Sequence, residues 1–178
     1  MRRNILRSGP ARAAGFVFTV LLLAAAASSP ALETRHLFRI ERSKNANIVQ
    51  YDAQLTPDGR LYPEEPVIAY WIRLAEDGRR KPLTFVQRHW AYGFTASYDA
   101  EKNTACLDMA AGIGRKIWVY AAGGRYRAEM RIDGRPAFID KIYITSVKRA
   151  AFFPRVISIE LYGKDVITGK PRYEKIKP

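Results

Sequence analysis

Hydrophobicity in this chain repeats every second residue over most of its length, and that period limits the fold more than any other feature. Val49, Tyr51, Ala53 and Leu55 alternate with Gln50, Asp52 and Gln54. Tyr126, Ala128, Met130 and Ile132 alternate with Arg125, Arg127, Glu129 and Arg131. His36, Phe38 and Ile40 alternate with Leu37, Arg39 and Glu41, and Ile157, Ile159 and Leu161 with Ser158, Glu160 and Tyr162. Successive side chains of a strand point to opposite faces, so such runs are strands with one dry and one wet face, as in antiparallel sheet. VIAYWIRL, Val67 to Leu74, is apolar on both faces and is expected to be the most covered strand.

The corners fix the register. Gly123-Gly124 and Asp133-Gly134 each separate two runs by two residues that tolerate positive φ, the signature of tight hairpins. Closing at Gly123-Gly124 pairs Ala121 with Tyr126, Val119 with Ala128 and Ile117 with Met130 on the dry face. Tyr120 then meets Arg127, and Trp118 meets Glu129, on the wet one. Closing at Asp133-Gly134 pairs Met130 with Ala137, Ala128 with Ile139 and Arg127 with Asp140. Beyond that point the apolar residues move from odd to even positions, to Ile142 and Ile144, which predicts a β-bulge near Asp140-Lys141.

One segment breaks the period. In KPLTFVQRHWAYGF, Leu83, Val86 and Trp90 fall at helical spacing, Pro82 suits a first helical position and Gly93 a C-terminal cap, so a short helix is expected over Leu83 to Ala91. SKNAN, Ser43 to Asn47, reads as a five-residue hairpin loop. The expected fold is all-β with one short helix: about nine or ten strands, in an antiparallel meander closed into a small β-barrel or a curved sandwich. A flat sheet of that size would leave its dry face and long edges uncovered.

The N-terminus carries a different signal. Arg2, Arg3, Arg7 and Arg12 precede the apolar run Ala13 to Ala27 and the small residues SSPA. That is the plan of a secretory signal peptide over residues 1–31, cleaved after Ala31, with Ala27 as the alternative. RRNILR also resembles a twin-arginine signal. Residues 32–178 are then a single exported domain, periplasmic or secreted, with no transmembrane span. Removing the leader takes four of the 30 lysines and arginines and none of the 17 acids, which leaves a net charge of +9. Such a domain is drawn to anionic envelope components, lipid headgroups or acidic glycans, and export argues against nucleic acid. Cys106 is the chain's one cysteine, which excludes an intramolecular disulfide.

Four blocks, ERSKNANIVQYD, PVIAYWIRLAEDG, LTFVQRHWAYGF and ELYGKDVITGK, resemble in that order an exported bacterial family catalogued as domain of unknown function 4833. The resemblance covers nearly all of residues 32–178 and implies a small exported domain with no assigned activity. It offers no catalytic residues to carry over. Within the blocks, Arg42, Asn45, Asn47, Asp52, Arg73, Gln87 and Tyr92 are polar side chains with no evident packing task, and together with His89 they are the candidate ligand-binding residues.

His89 is the candidate general base, and would need a carboxylate such as Asp52 or Asp99 to orient it. The plainer reading, which the spacing favours, is a partly exposed helix residue beside Trp90. His36 lies on an alternating strand and reads as structural, and Cys106 reads as a buried small hydrophobe. Two histidines and one cysteine, scattered, make no metal site, and no cofactor is expected. AAGIGRK, Ala110 to Lys116, lacks the following helix that strengthens phosphate loops and reads as a connection between strands. Three functions follow. The domain is a non-catalytic barrel that binds a small amphipathic ligand or an anionic envelope component, or a hydrolase or transferase using His89, or a structural accessory of an envelope assembly.

Overall fold

The computed structural model describes residues 32–111, 114–147 and 155–177. The leader expected over residues 1–31, with its cleavage site, lies outside the described residues. The elements run β1 (Glu33–Arg42), β2 (Asn45–Leu55), β3 (Val67–Ile72), β4 (Arg80–Pro82), α1 (Phe85–Trp90), β5 (Phe94–Asp99), β6 (Thr104–Met109), β7 (Lys116–Ala122), β8 (Arg125–Ile132), β9 (Arg135–Val147), β10 (Arg155–Asp165) and β11 (Pro171–Ile176). One sheet of 11 strands holds them, in the order β4-β3-β2-β1-β9-β8-β7-β6-β5, with β10 and β11 branching from β9.

The architecture is a β half-barrel. Two antiparallel meanders, β1 to β4 and β5 to β9, meet where β1 lies parallel to β9 from Arg39–Lys141 to Arg42–Ile144. The expected all-antiparallel meander is corrected at this one seam. The path also ends at β4 and β5, which do not pair, so the barrel stays open there and residues 83–93, with α1, cross the gap.

The branch at β9 follows from its bulge. Tyr162 on β10 faces Lys141, and Gly163 faces Ile139, so Asp140 is the extra residue, where the shift from odd to even positions predicts it. Before the bulge β9 pairs with β8, and the register is the expected one: Met130 opposite Ala137 and Glu129 opposite Phe138. There the ladder stops. The expected pairs Ala128–Ile139 and Arg127–Asp140 do not form, because β9 bends away and takes β1 as its new neighbour at Lys141. The β7–β8 hairpin keeps its expected register, with Trp118 opposite Glu129 and Ala121 opposite Tyr126.

Local shifts alter other faces. His36 sits opposite Asp52, yet Phe38 sits opposite Tyr51, so Leu37 is an extra residue that puts His36 outside and Phe38 inside rather than on one face. A shift between Val156 and Ser158 likewise exposes Ile157 and buries Ser158. The first hairpin closes through Ser43-Lys44, a shorter turn than SKNAN, since Arg42 already pairs with Asn45. β3 stops at Ile72, and the most covered strand is β2, whose Tyr51–Leu55 stretch is buried on both faces.

The concave face is filled. Phe38 and Tyr51, both fully buried, stack at 4.4 Å between ring centroids. Val49, Ala105, Leu107, Ile117, Val119, Met130 and Leu161 complete the core. At one end the β2–β3 connection folds over it, burying Leu61, whose N–H donates to Asn103 Oδ1 at 3.0 Å, while Tyr126 Oη donates to the Gly59 carbonyl at 2.9 Å. The other end lies under α1. No described helix is long and apolar enough to cross a membrane.

Candidate functional site

α1 begins later than the spacing predicts. Pro82 belongs to β4, and Thr84 is the N-cap: its Oγ1 accepts from Gln87 N–H at 3.4 Å, while Gln87 Oε1 accepts from Thr84 N–H at 3.0 Å. The helix ends at Ala91, and Gly93 is no cap. It is a close-packing site, where a Cβ would lie 1.8 Å from the Arg88 carbonyl oxygen. The expected apolar face does not form. Leu83 is buried ahead of the helix, while Val86 and Trp90 are exposed.

Gln87 has a second task. Its Oε1 also accepts from Trp71 Nε1 at 2.9 Å, which ties α1 to the inner side of β3. Tyr92 meets Trp71 edge-on at 5.1 Å, and the Tyr92 carbonyl accepts from the buried Tyr51 hydroxyl at 2.6 Å. The chain on both sides of the helix is therefore fastened to the core by aromatic residues.

Arg42 reaches into this corner. It is the last residue of β1 and points to the concave side, with its guanidinium 4.4 Å over the Trp71 ring. Nη1 donates to Tyr92 Oη at 3.3 Å and Nη2 to Asn45 Oδ1 at 2.9 Å. Nε is buried and has no hydrogen-bond partner among the described residues. Among those residues no carboxylate pairs with Arg42. Its charge is balanced only by the faces and dipoles of neutral groups, a cation–π contact of about 0.5–2 kcal/mol among them.

A cleft of about 210 Å³ opens beside it, lined by Arg42, Asn47, Trp71, Arg73, Glu76, Lys81 and Gln87. Asn47 braces its floor, accepting from Ala75 N–H at 2.8 Å and donating to Glu76 at 3.2 Å. Glu76 is itself paired with Arg73, which also lies 3.6 Å from Asp77. Of the eight candidate residues, six gather here: Arg42, Asn45, Asn47, Arg73, Gln87 and Tyr92. Trp71, Glu76 and Lys81 complete the cleft and were not singled out from the sequence. β3 is apolar on both faces, so no alternation marks Trp71 as inward-facing, and nothing local marks the acid or the lysine.

The other two candidates lie elsewhere. Asp52 is on the outer side of β2 and only 2% exposed. It accepts from Gln50 at 2.9 Å and from the Tyr70 hydroxyl, and contacts His36 Nδ1 at 3.2 Å. Burial pushes its carboxyl up, but the hydrogen bonds from His36, Tyr70 and Gln50 outweigh it and hold the group below its ordinary value. Burial, then the bond to Asp52, pushes the Tyr70 phenol well above its usual range. His89 is exposed on α1. Its Nδ1 lies 2.9 Å from the Phe85 carbonyl of the preceding turn, and its ring packs on Phe85 at 4.0 Å. Among the described residues no carboxylate contacts it, and the histidine beside Asp52 is His36.

Cys106 is buried, and burial lifts its thiol above the ordinary value, with Lys116 opposing and Asp108 adding. Arg115, in the Ala110–Lys116 connection, is committed to Glu174 through two bonds of 2.6 Å. Among the described residues no three metal-binding side chains come together. No curated protein and no solved structure is significantly similar to the chain. Residues 38–175, the greater part of both meanders together with α1, β10 and most of β11, match the family described as Domain of unknown function 4833, and the chain belongs to that family.

Proposed function

We propose that the protein is an exported, non-catalytic binding domain that takes a small acidic, amphipathic ligand in the cleft beside Arg42. One observation carries this reading: Arg42 is held half-buried among neutral partners, and among the described residues its Nε has no hydrogen-bond partner and no carboxylate pairs with it. A cation desolvated without a counter-charge is costly, and an anion supplied from outside would relieve that cost. Lys81 adds a second positive group on the same wall, and the buried Trp71, under the Arg42 guanidinium, presents an aromatic edge to the cleft. Glu76 is the opposing acid, and its charge is already engaged by Arg73.

A filled concave face supports binding at this rim rather than inside the half-barrel. The acid/base alternative asks for His89 beside a carboxylate, and here its ring nitrogen faces a backbone carbonyl. Native mass spectrometry of the protein purified from its own envelope fraction tests the reading. An acidic adduct is expected on the wild type and not on Arg42→Gln. Equal adducts on both, or a neutral ligand, would overturn it.

A further inference from the structure

We infer that α1 is a membrane-surface anchor, which docks the domain on the face of an anionic phospholipid bilayer. The helix contributes no buried residue to the core. It holds Phe85 at 72%, Val86 at 50% and Trp90 at 70% exposure, three large apolar side chains within six residues. Burying such side chains is worth about 1.5–3 kcal/mol each, so a helix that exposes all three leaves a large driving force unused. The helix also keeps its shape without that burial. The Thr84–Gln87 capping box, the Gln87–Trp71 bond and the anchored Tyr92 carbonyl hold it from both ends.

Charge selects the occupant. The first turn of α1 has no acid, the last turn carries Arg88 and His89, and the adjoining strand β4 begins Arg80-Lys81 with every residue exposed. Arg79 precedes it, 3.8 Å from Asp77, which also contacts Arg73; two further acids lie nearby, Glu76, which shares the cleft with Lys81 and is paired with Arg73, and Glu65, on the groove that Arg80, Lys81 and Arg88 line. Arg80 lies 4.6 Å over the Tyr70 ring. Exposed aromatic and aliphatic side chains, with Arg88 on the same helix and Arg80 and Lys81 along the groove it borders, fit the headgroup region of an anionic bilayer, where Trp and Phe sit at the interface and cations meet lipid phosphates. A folded protein partner fits less well. One and a half turns of helix fall far short of the roughly 800 Å² per partner that a stable interface buries. A bilayer needs no matching shape.

The test is co-sedimentation of the leader-free domain with phosphatidylcholine vesicles, with and without phosphatidylglycerol. Binding is expected only to the phosphatidylglycerol vesicles and is expected to weaken with salt. Phe85→Ser with Trp90→Ser should lower it by on the order of tenfold or more. Arg88→Gln should lower it roughly fivefold. In a Trp118→Phe background, where Trp71 and Trp90 remain, the emission should shift to the blue on binding, since Trp71 is already buried and Trp90 is the exposed one. The thermal midpoint should hold in all these variants, since none of the α1 residues changed is buried. The inference is overturned if the wild type ignores phosphatidylglycerol vesicles, or if the double variant binds as the wild type does. It is overturned equally if α1 instead drives a concentration-dependent dimer that Trp90→Ser abolishes while vesicles stay unbound. The cleft reading is separate, because Arg42→Gln should leave vesicle binding intact.

Discussion

Gly163→Ala is the sharpest probe of the branch at β9. Gly163 faces Ile139 just past the Asp140 bulge. A Cβ there would stand 2.4 Å from the Phe138 carbonyl oxygen and 2.9 Å from Ile132 Cδ1. Carbon meets a carbonyl oxygen at about 3.3–3.6 Å, so β10 and β9 must part by roughly 1 Å. The isoleucine tip can turn aside, whereas the backbone oxygen cannot. Overpacking of this kind costs about 1–3 kcal/mol, and one stretched ladder bond adds about 1 kcal/mol, so the expected loss is about 2–4 kcal/mol. Urea unfolding followed by far-ultraviolet circular dichroism reads it. At a slope of about 2 kcal/mol/M the midpoint should fall by roughly 1–2 M, with the slope unchanged. Gly78→Ala is the control. Its φ of +69° strains any L side chain, but nothing lies within 4 Å of the added carbon, so strain alone should cost about 1–2 kcal/mol. A Gly163→Ala protein no less stable than Gly78→Ala would refute the close approach of β10 to the bulge.

Tyr51→Phe removes the hydroxyl that the Tyr92 carbonyl accepts, and should cost about 1–2 kcal/mol in chemical denaturation. Its amide exchange should quicken through residues 85–93 while β6 to β8 stay protected. Asp52 is ionised more readily folded than unfolded, so its stabilisation is complete above the unfolded value near 3.9 and drains away as pH falls through that value to the lower, folded one. Asp52→Asn should therefore lower stability at neutral pH and flatten part of the acid limb, leaving the share of the other carboxyls held low, among them Asp165, by the Thr168 amide and Arg172, and Glu174, by Arg115, each against burial. Cys106, with its buried and raised thiol, should resist a disulfide reagent in the native protein and react at the unfolding rate in denaturant.

The sheet was legible because period two is a local signal. The Gly123-Gly124 and Asp133-Gly134 corners fixed two registers, and the change from odd to even positions at Ile142 located the Asp140 bulge. The same alternation hid the Leu37 and Ile157 shifts. At Leu37 the only mark is a polar His36 in the set of Phe38 and Ile40 and an apolar Leu37 in the set of Arg39 and Glu41, and Ile157 keeps the period of Ile159 and Leu161, so the pattern runs through both shifts. The parallel β1–β9 seam was not legible at all. It joins residues about a hundred apart, and no turn chemistry announces a pairing that no turn makes.

The gathering of the cleft depends on that same seam. Arg42 pairs across to Ile144 at the end of the seam, and Ser43, the next residue, donates its N–H to the Ile144 carbonyl at 3.0 Å. The end of β1 is thereby pinned to β9, and the Arg42 guanidinium is carried over Trp71. Arg42, Asn45, Asn47 and Arg73 stood out from the sequence as polar residues without a packing role, but their convergence with Gln87 and Tyr92 needed two further facts. α1 crosses the open edge of the half-barrel instead of packing its apolar side on the core, and Gln87 serves both the helix cap and Trp71. Gln87 and Trp90 are three residues apart and lie only about 60° apart around the helix, so a modest rotation of α1 seats Gln87 on Trp71 and leaves Trp90 in solvent. The exposure of Trp90 and the Trp71–Gln87 bond beside Arg42 thus share one rotational setting of α1.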